Sequence, residues 1–141
     1  MRAACKHTAI VLLTISTLLS MPGFAARRQV KSLEANANGK GTIKVGSEEF
    51  HVYTVVLKLK EGGDAEITLV SEITLFFSGT WANNDADKSI DLKISGGAAS
   101  NGVQGTGKLL LRDDGKSIAR LTLQGSIKAR KTDVTVNFVA D

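Results

Sequence analysis

From Gly39 to the end of the chain, apolar and polar residues alternate one for one, broken only by short runs of turn formers. Period two is the repeat of a strand with one buried face, because successive side chains point to opposite sides of a sheet. The run from Ala65 to Trp81 is the clearest. Its odd positions include Ala65, Ile67, Leu69, Ile73, Leu75, Phe77, Gly79 and Trp81, and its even positions are Glu66, Thr68, Val70, Glu72, Thr74, Phe76, Ser78 and Thr80. A two-residue hairpin at Ser71-Glu72 would break that parity, so the pattern predicts one continuous strand. Fully extended, such a strand spans roughly 55 Å at about 3.3 Å per residue. A domain of this size is only about 35 Å across, so a sharp bend is expected near Ser71 or Gly79.

The same alternation recurs through Val103, Gly105, Gly107, Leu109 and Leu111, and through Ala119, Leu121, Leu123, Gly125, Ile127 and Ala129. Shorter runs are Ile43/Val45, Ile90/Leu92/Ile94 and Val134/Val136/Phe138. Turn formers separate them, at Gly46-Ser47, Glu61-Gly62-Gly63-Asp64 and Asp113-Asp114-Gly115-Lys116, with longer loops at 83–88 and 96–102. Short connections favour antiparallel neighbours. The expected fold is therefore all-β, a single-domain antiparallel meander of seven to eight strands, either a closed or flattened β-barrel or a β-sandwich.

The first 25 residues have a different character. A basic head (Arg2, Lys6), an uncharged run from Thr8 to Leu19, the helix breaker Pro22 and the exit Gly23-Phe24-Ala25 are the marks of a secretory signal peptide. The apolar run is shorter than the roughly 20 residues that cross a bilayer. The reading is thus a signal peptide at 1–25, a flexible polar arm at 26–38 and the β-domain at 39–141, with the mature protein exported to a periplasmic or extracellular compartment. Cleavage removes two of the 18 basic residues and leaves 16 against 14 acidic ones, so the net charge falls from +4 to +2. That balance gives no argument for nucleic acid. It also removes Cys5, the single cysteine, and with it disulfides, thiolate metal sites and cysteine nucleophiles.

Several motif-like stretches resolve into structure rather than chemistry. Gly102 to Lys108 nearly spells a phosphate-binding loop, but Leu109 stands where Ser or Thr should hold magnesium, and the segment opens a strand instead of a helix. Asp85, Asp87, Ser89 and Asp91 resemble the opening ligands of an EF-hand, yet Ile90 replaces its glycine and Gly96 its closing acid. The plain reading is a solvated turn. Gly79-Thr80-Trp81 resembles the Gly-x-Trp of the calycin barrels, the lipocalin and avidin group. There the triplet stands near the start of the fold, whereas here 60 residues follow Trp81, too few for that barrel in its usual order. Trp81 is instead expected at a barrel end or in the core, its indole N–H on a backbone carbonyl. His51, the sole histidine after cleavage, has no partner motif, so no enzyme, metal or cofactor is expected.

Two binding modes remain. The inward face carries small residues, Gly79, Gly105, Gly107, Gly125, Ala65, Ala119 and Ala129 among them. These either let the sheet coil tightly or leave a hollow for a small apolar molecule or lipid. Tyr53, Leu57, Phe77, Trp81, Gly105 and Gly107 are the expected lining of such a hollow. Alternatively, the segment from Phe50 to Leu59 is apolar on both faces (Phe50, Val52 and Val56 against Tyr53, Val55, Leu57 and Leu59). Phe50, Val52 and Val56 would then face a protein partner, in a protein-binding or envelope-structural module. An outer-membrane barrel is disfavoured, because aromatics at 5% are too few for interfacial girdles.

Overall fold

The computed structural model describes residues 29–97 and 102–141; the signal peptide expected at 1–25 lies outside the described residues. Eight strands follow one another: β1 (Leu33–Val45), β2 (Glu48–Leu59), β3 (Asp64–Val70), β4 (Thr74–Asn84), β5 (Ser89–Gly96), β6 (Val103–Leu111), β7 (Ile118–Ile127) and β8 (Thr132–Ala140). Each pairs antiparallel with the next, and β8 returns to pair with β1, so the meander closes into a barrel. Closure decides between the two architectures that the alternation allowed, and it gives every strand a hydrogen-bonded neighbour on both sides.

The run from Ala65 to Trp81 is not one bent strand. Val70 stands opposite Thr74 and Leu69 opposite Leu75, so the chain reverses through Ser71, Glu72 and Ile73. A connection of three residues places odd positions opposite odd positions. The parity that excludes a two-residue turn therefore survives the reversal intact.

Two further departures come from bulges. β1 starts at Leu33, so residues Leu33 to Asn38, expected within the polar arm, pair with Thr54 to Leu59. Between Asn38 and Gly41 the register shifts, setting Gly39 and Lys40 against Tyr53 alone. The strand β2 changes parity there: Val52 points inward, and so do Val55, Leu57 and Leu59. Its two-sided apolar character is largely one face seen across a bulge. In the same way, Leu110 pairs with Arg120 but Leu111 pairs with Ile118. Ile118 and Leu121 are the buried residues there, leaving Ala119 only half-buried, while Ala129 is exposed in the turn after β7.

Eight strands enclose a space that side chains can just fill. Here Ile43, Val55, Leu57, Leu69, Leu109, Leu121, Val136 and Phe138 occupy it with no exposure at all. The outward positions are Lys, Glu, Thr, Asp and Asn for the most part, the inverse of the lipid-facing belt of a transmembrane barrel.

The inward glycines sit where neighbouring strands crowd each other. A Cβ on Gly79 would lie 1.8 Å from the Lys93 carbonyl oxygen, and one on Gly105 would lie 2.1 Å from that of Gln124. Both obstacles are backbone, so these glycines permit close strand approach at tight bends.

Candidate functional site

Among the described residues five large apolar side chains are exposed, and three of them, Tyr53, Ile73 and Phe76, stand along β2, the β3–β4 turn and β4, with Leu110 and Val139 on β6 and β8. Val56, Thr68 and Phe76 lie in one cross-strand row, since Val56 pairs with Thr68 and Thr68 with Phe76. The adjoining row is Thr54, Val70 and Thr74, and Tyr53 and Ile73 stand beside it at the β3–β4 turn. Phe76 is 48% exposed, Ile73 46% and Tyr53 52%, while Val56 and Val70 are half-buried. Exposed apolar side chains scattered singly need no explanation, but a cluster does. Beside Phe76 the wall sinks into a depression of about 480 Å³, lined by Val56, Lys58, Thr68, Phe76, Ser78 and Gly97 among others.

Charged groups frame this patch in pairs. Lys58 meets Glu34 at 3.6 Å, and Lys60 meets Glu66 at 2.8 Å. The Lys60 ammonium holds the Glu66 carboxyl below its usual range, first by hydrogen bond and then by charge. At the opposite end the Tyr53 hydroxyl donates to Glu72 at 3.3 Å, and the negative charge of Glu72 raises the Tyr53 phenol above its ordinary value. Glu72 also accepts from the Ser71 hydroxyl at 2.8 Å. His51 is exposed on this wall, its ring tilted 36° to Tyr53 at 6.5 Å.

The residues expected to line an interior site divide. Leu57 and Phe77 are in the core, 0% and 5% exposed. Gly105 and Gly107 face inward, but a Cβ on Gly107 would strike the Leu123 side chain at 2.2 Å, so neither glycine opens a free hollow beside its own Cα. Tyr53 points outward and lines no interior. Trp81, half-buried at the barrel end, donates its indole N–H to the Lys60 carbonyl at 2.9 Å, as expected of a barrel-end tryptophan. Of the expected interface residues, Val56 alone lies on the outer apolar patch. Phe50 is half-buried against the core, and Val52 is 1% exposed within it, because the bulge turns both inward. Phe76, Val70 and Ile73 complete the patch and were not singled out by sequence. Their signal was available, since Val70 and Phe76 are the apolar residues on the otherwise polar even positions.

A second depression, of about 860 Å³, crosses the wall from β4 to β8. Its floor is the row Thr80, Lys93, Thr106, Gln124 and Thr135, each paired with the next. Lys108 at its rim donates to Asp87 and lies 3.8 Å from Asp91. Asp87 also accepts from the hydroxyl of buried Ser89, and these contacts bring its carboxyl down to about 2. A calcium ion in this turn would first have to displace Lys108, and the described residues contain no cluster of metal-ligating side chains. The stretch that mimics a phosphate loop runs into β6 as a strand.

Fold and site together define a closed antiparallel meander barrel with a packed interior and an apolar sector on the outer face of β2, β3 and β4. In comparison with known proteins, the chain matches no family model, no curated protein and no solved structure.

Proposed function

We propose that this is an exported, non-enzymatic binding protein that engages a protein partner through the outer face of β2, β3 and β4. The single observation that carries the reading is the grouping of Phe76, Ile73 and Tyr53, three exposed apolar side chains, on one sector, whereas the exposed Leu110 and Val139 stand on either side of Arg120. Water already satisfies the threonines, lysines and amides of the larger depression, so their exposure costs nothing. Apolar surface left in water costs about 25 cal/mol per Å², and a partner that covers this sector recovers it. The filled interior supports the same choice, because side chains occupy the space a small apolar ligand would need. The signal-peptide pattern supports export.

The test is photocrosslinking in living cells, with a benzophenone side chain carried at position 76 and, as a control, at position 110 on another part of the wall. The expected result is a protein-sized adduct from position 76 alone. Absence of any adduct, or equal capture from both positions, contradicts the reading.

A further inference from the structure

We infer that the edge of β1 from Leu33 to Ala37 takes an extended segment of a partner protein as an added strand. It is a second surface, carried by main-chain groups of β1 rather than by the outer face of β2 to β4. Along Gly41 to Val45, β1 pairs with β2 on one side and β8 on the other. The Asp141 N–H donates to the Asn38 carbonyl at 3.0 Å, and from Ala37 back to Leu33 the strand pairs with β2 alone. Successive residues of a strand send their N–H and C=O groups to opposite sides. Asn38 sends its carbonyl to the β8 side, so Asn36 and Glu34 send theirs the same way, where no described residue pairs with them. The chain entering β1 leads away to β4, where Asn83 donates to the Val30 carbonyl at 2.8 Å and accepts the Val30 N–H at 3.3 Å. Neither Pro nor Lys, the usual guards of an exposed edge, stands between Leu33 and Asn38.

Burial points the same way. Leu33, Ala35 and Ala37 pair with Leu59, Leu57 and Val55, which are buried, yet are themselves only half-buried. What they lack is cover from the β8 side. Donors and acceptors alternating at strand spacing are matched by another main chain, which makes the occupant a polypeptide. Its residues opposite Glu34 and Asn36 exchange main-chain bonds with them, and its residues opposite Leu33, Ala35 and Ala37 turn inward beside the apolar row. The fitting segment is therefore extended, antiparallel to β1 like β8, and apolar at every second position.

Amide NMR of the protein as isolated from cells, titrated with the capped synthetic peptide Lys-Val-Thr-Val-Thr-Val-Lys, tests the inference. Before peptide is added, the Glu34 and Asn36 amides should exchange rapidly, while those of Ala35 and Ala37, on the β2 side, are protected. The peptide should slow exchange at Glu34 and Asn36 and shift their resonances. Methylating both threonine amides of the peptide should weaken binding about tenfold or more, whereas methylating its central valine amide, which points away from β1, leaves binding unchanged. Asn36→Pro removes an edge donor without touching a β1–β2 bond, and should weaken binding to a similar degree. Circular dichroism establishes that this variant is folded; should it not fold, the methylated peptides decide alone. No shift at the edge with millimolar peptide, or binding indifferent to threonine methylation, overturns the inference. So does protection of Glu34 and Asn36 before peptide is added, since this chain or a second copy would then already cover the edge.

Discussion

The indole N–H of Trp81 donates to the carbonyl oxygen of Lys60 at 2.9 Å, tying β4 to the turn between β2 and β3. The same carbonyl accepts the Gly63 N–H at 3.1 Å, and the Trp81 backbone N–H donates to Gly63 at 2.8 Å. One side chain and one backbone group thus fix a glycine-containing turn that would otherwise have many conformations to lose.

Trp81→Phe should keep the apolar contact and remove the bond. The Lys60 carbonyl stays within reach of water, so the cost is the net value of one hydrogen bond, about 1 kcal/mol. Urea denaturation measures it, and faster amide exchange at Gly63 would place the loss in this turn.

Gly105→Ala should destabilise the barrel by about 2 kcal/mol or more, because its new methyl meets backbone that cannot step aside. Gly96→Ala is the matched control. There the Cβ approaches only the Ser78 hydroxyl, at 3.2 Å, and a side chain can rotate away. Thermal unfolding of the two variants should separate clearly; equal effects would show that the inward glycines are not closing the sheet.

Val52 and Phe76 should respond oppositely to the same charge. Val52→Glu buries an unpaired carboxylate in the core and should cost on the order of 3 to 5 kcal/mol. Phe76→Glu puts the carboxylate in water and should change monomer stability by no more than about 0.5 kcal/mol. Equilibrium denaturation of both variants tests the parity change that the bulge imposes on β2.

Asp114 anchors the turn between β6 and β7. Its carboxylate accepts the backbone N–H groups of Lys116 and Ser117, each at 2.8 Å, and the Ser117 hydroxyl. These bonds, the hydroxyl foremost, hold its carboxyl down at about 2. A carboxyl held low in the folded chain stabilises the fold above its unfolded value, near 4, and loses that contribution as pH falls toward the folded one. Asp114→Ala should therefore be less stable than wild type at neutral pH, with the gap narrowing from about pH 4 to about pH 2. A gap independent of pH would contradict the role given to this carboxylate.

How far the sequence could be read follows from what period two encodes. It reports which residues share a face, so the β class, most of the core and the turns at Gly46-Ser47 and Asp113 to Lys116 were legible. It is blind to a reversal through an odd number of residues, and so Ala65 to Trp81 looked like one strand. It also cannot show a bulge in advance. One extra residue between Asn38 and Gly41 turned Phe50 and Val52 inward and left Tyr53 outside, which moved an expected interface into the core and an expected lining residue onto the wall. Phe76 was hidden differently: beside Phe77 it reads as core, and only the parity of its neighbours places it on the outer wall.

Native mass spectrometry of the protein, isolated gently from its own cells, tests the central claim most directly. A packed interior with an outer binding face predicts that any bound mass is that of a protein, and that the monomer released from it is bare. A reproducible adduct of small-molecule mass that leaves only on denaturation would contradict this, and would place the binding site inside the barrel.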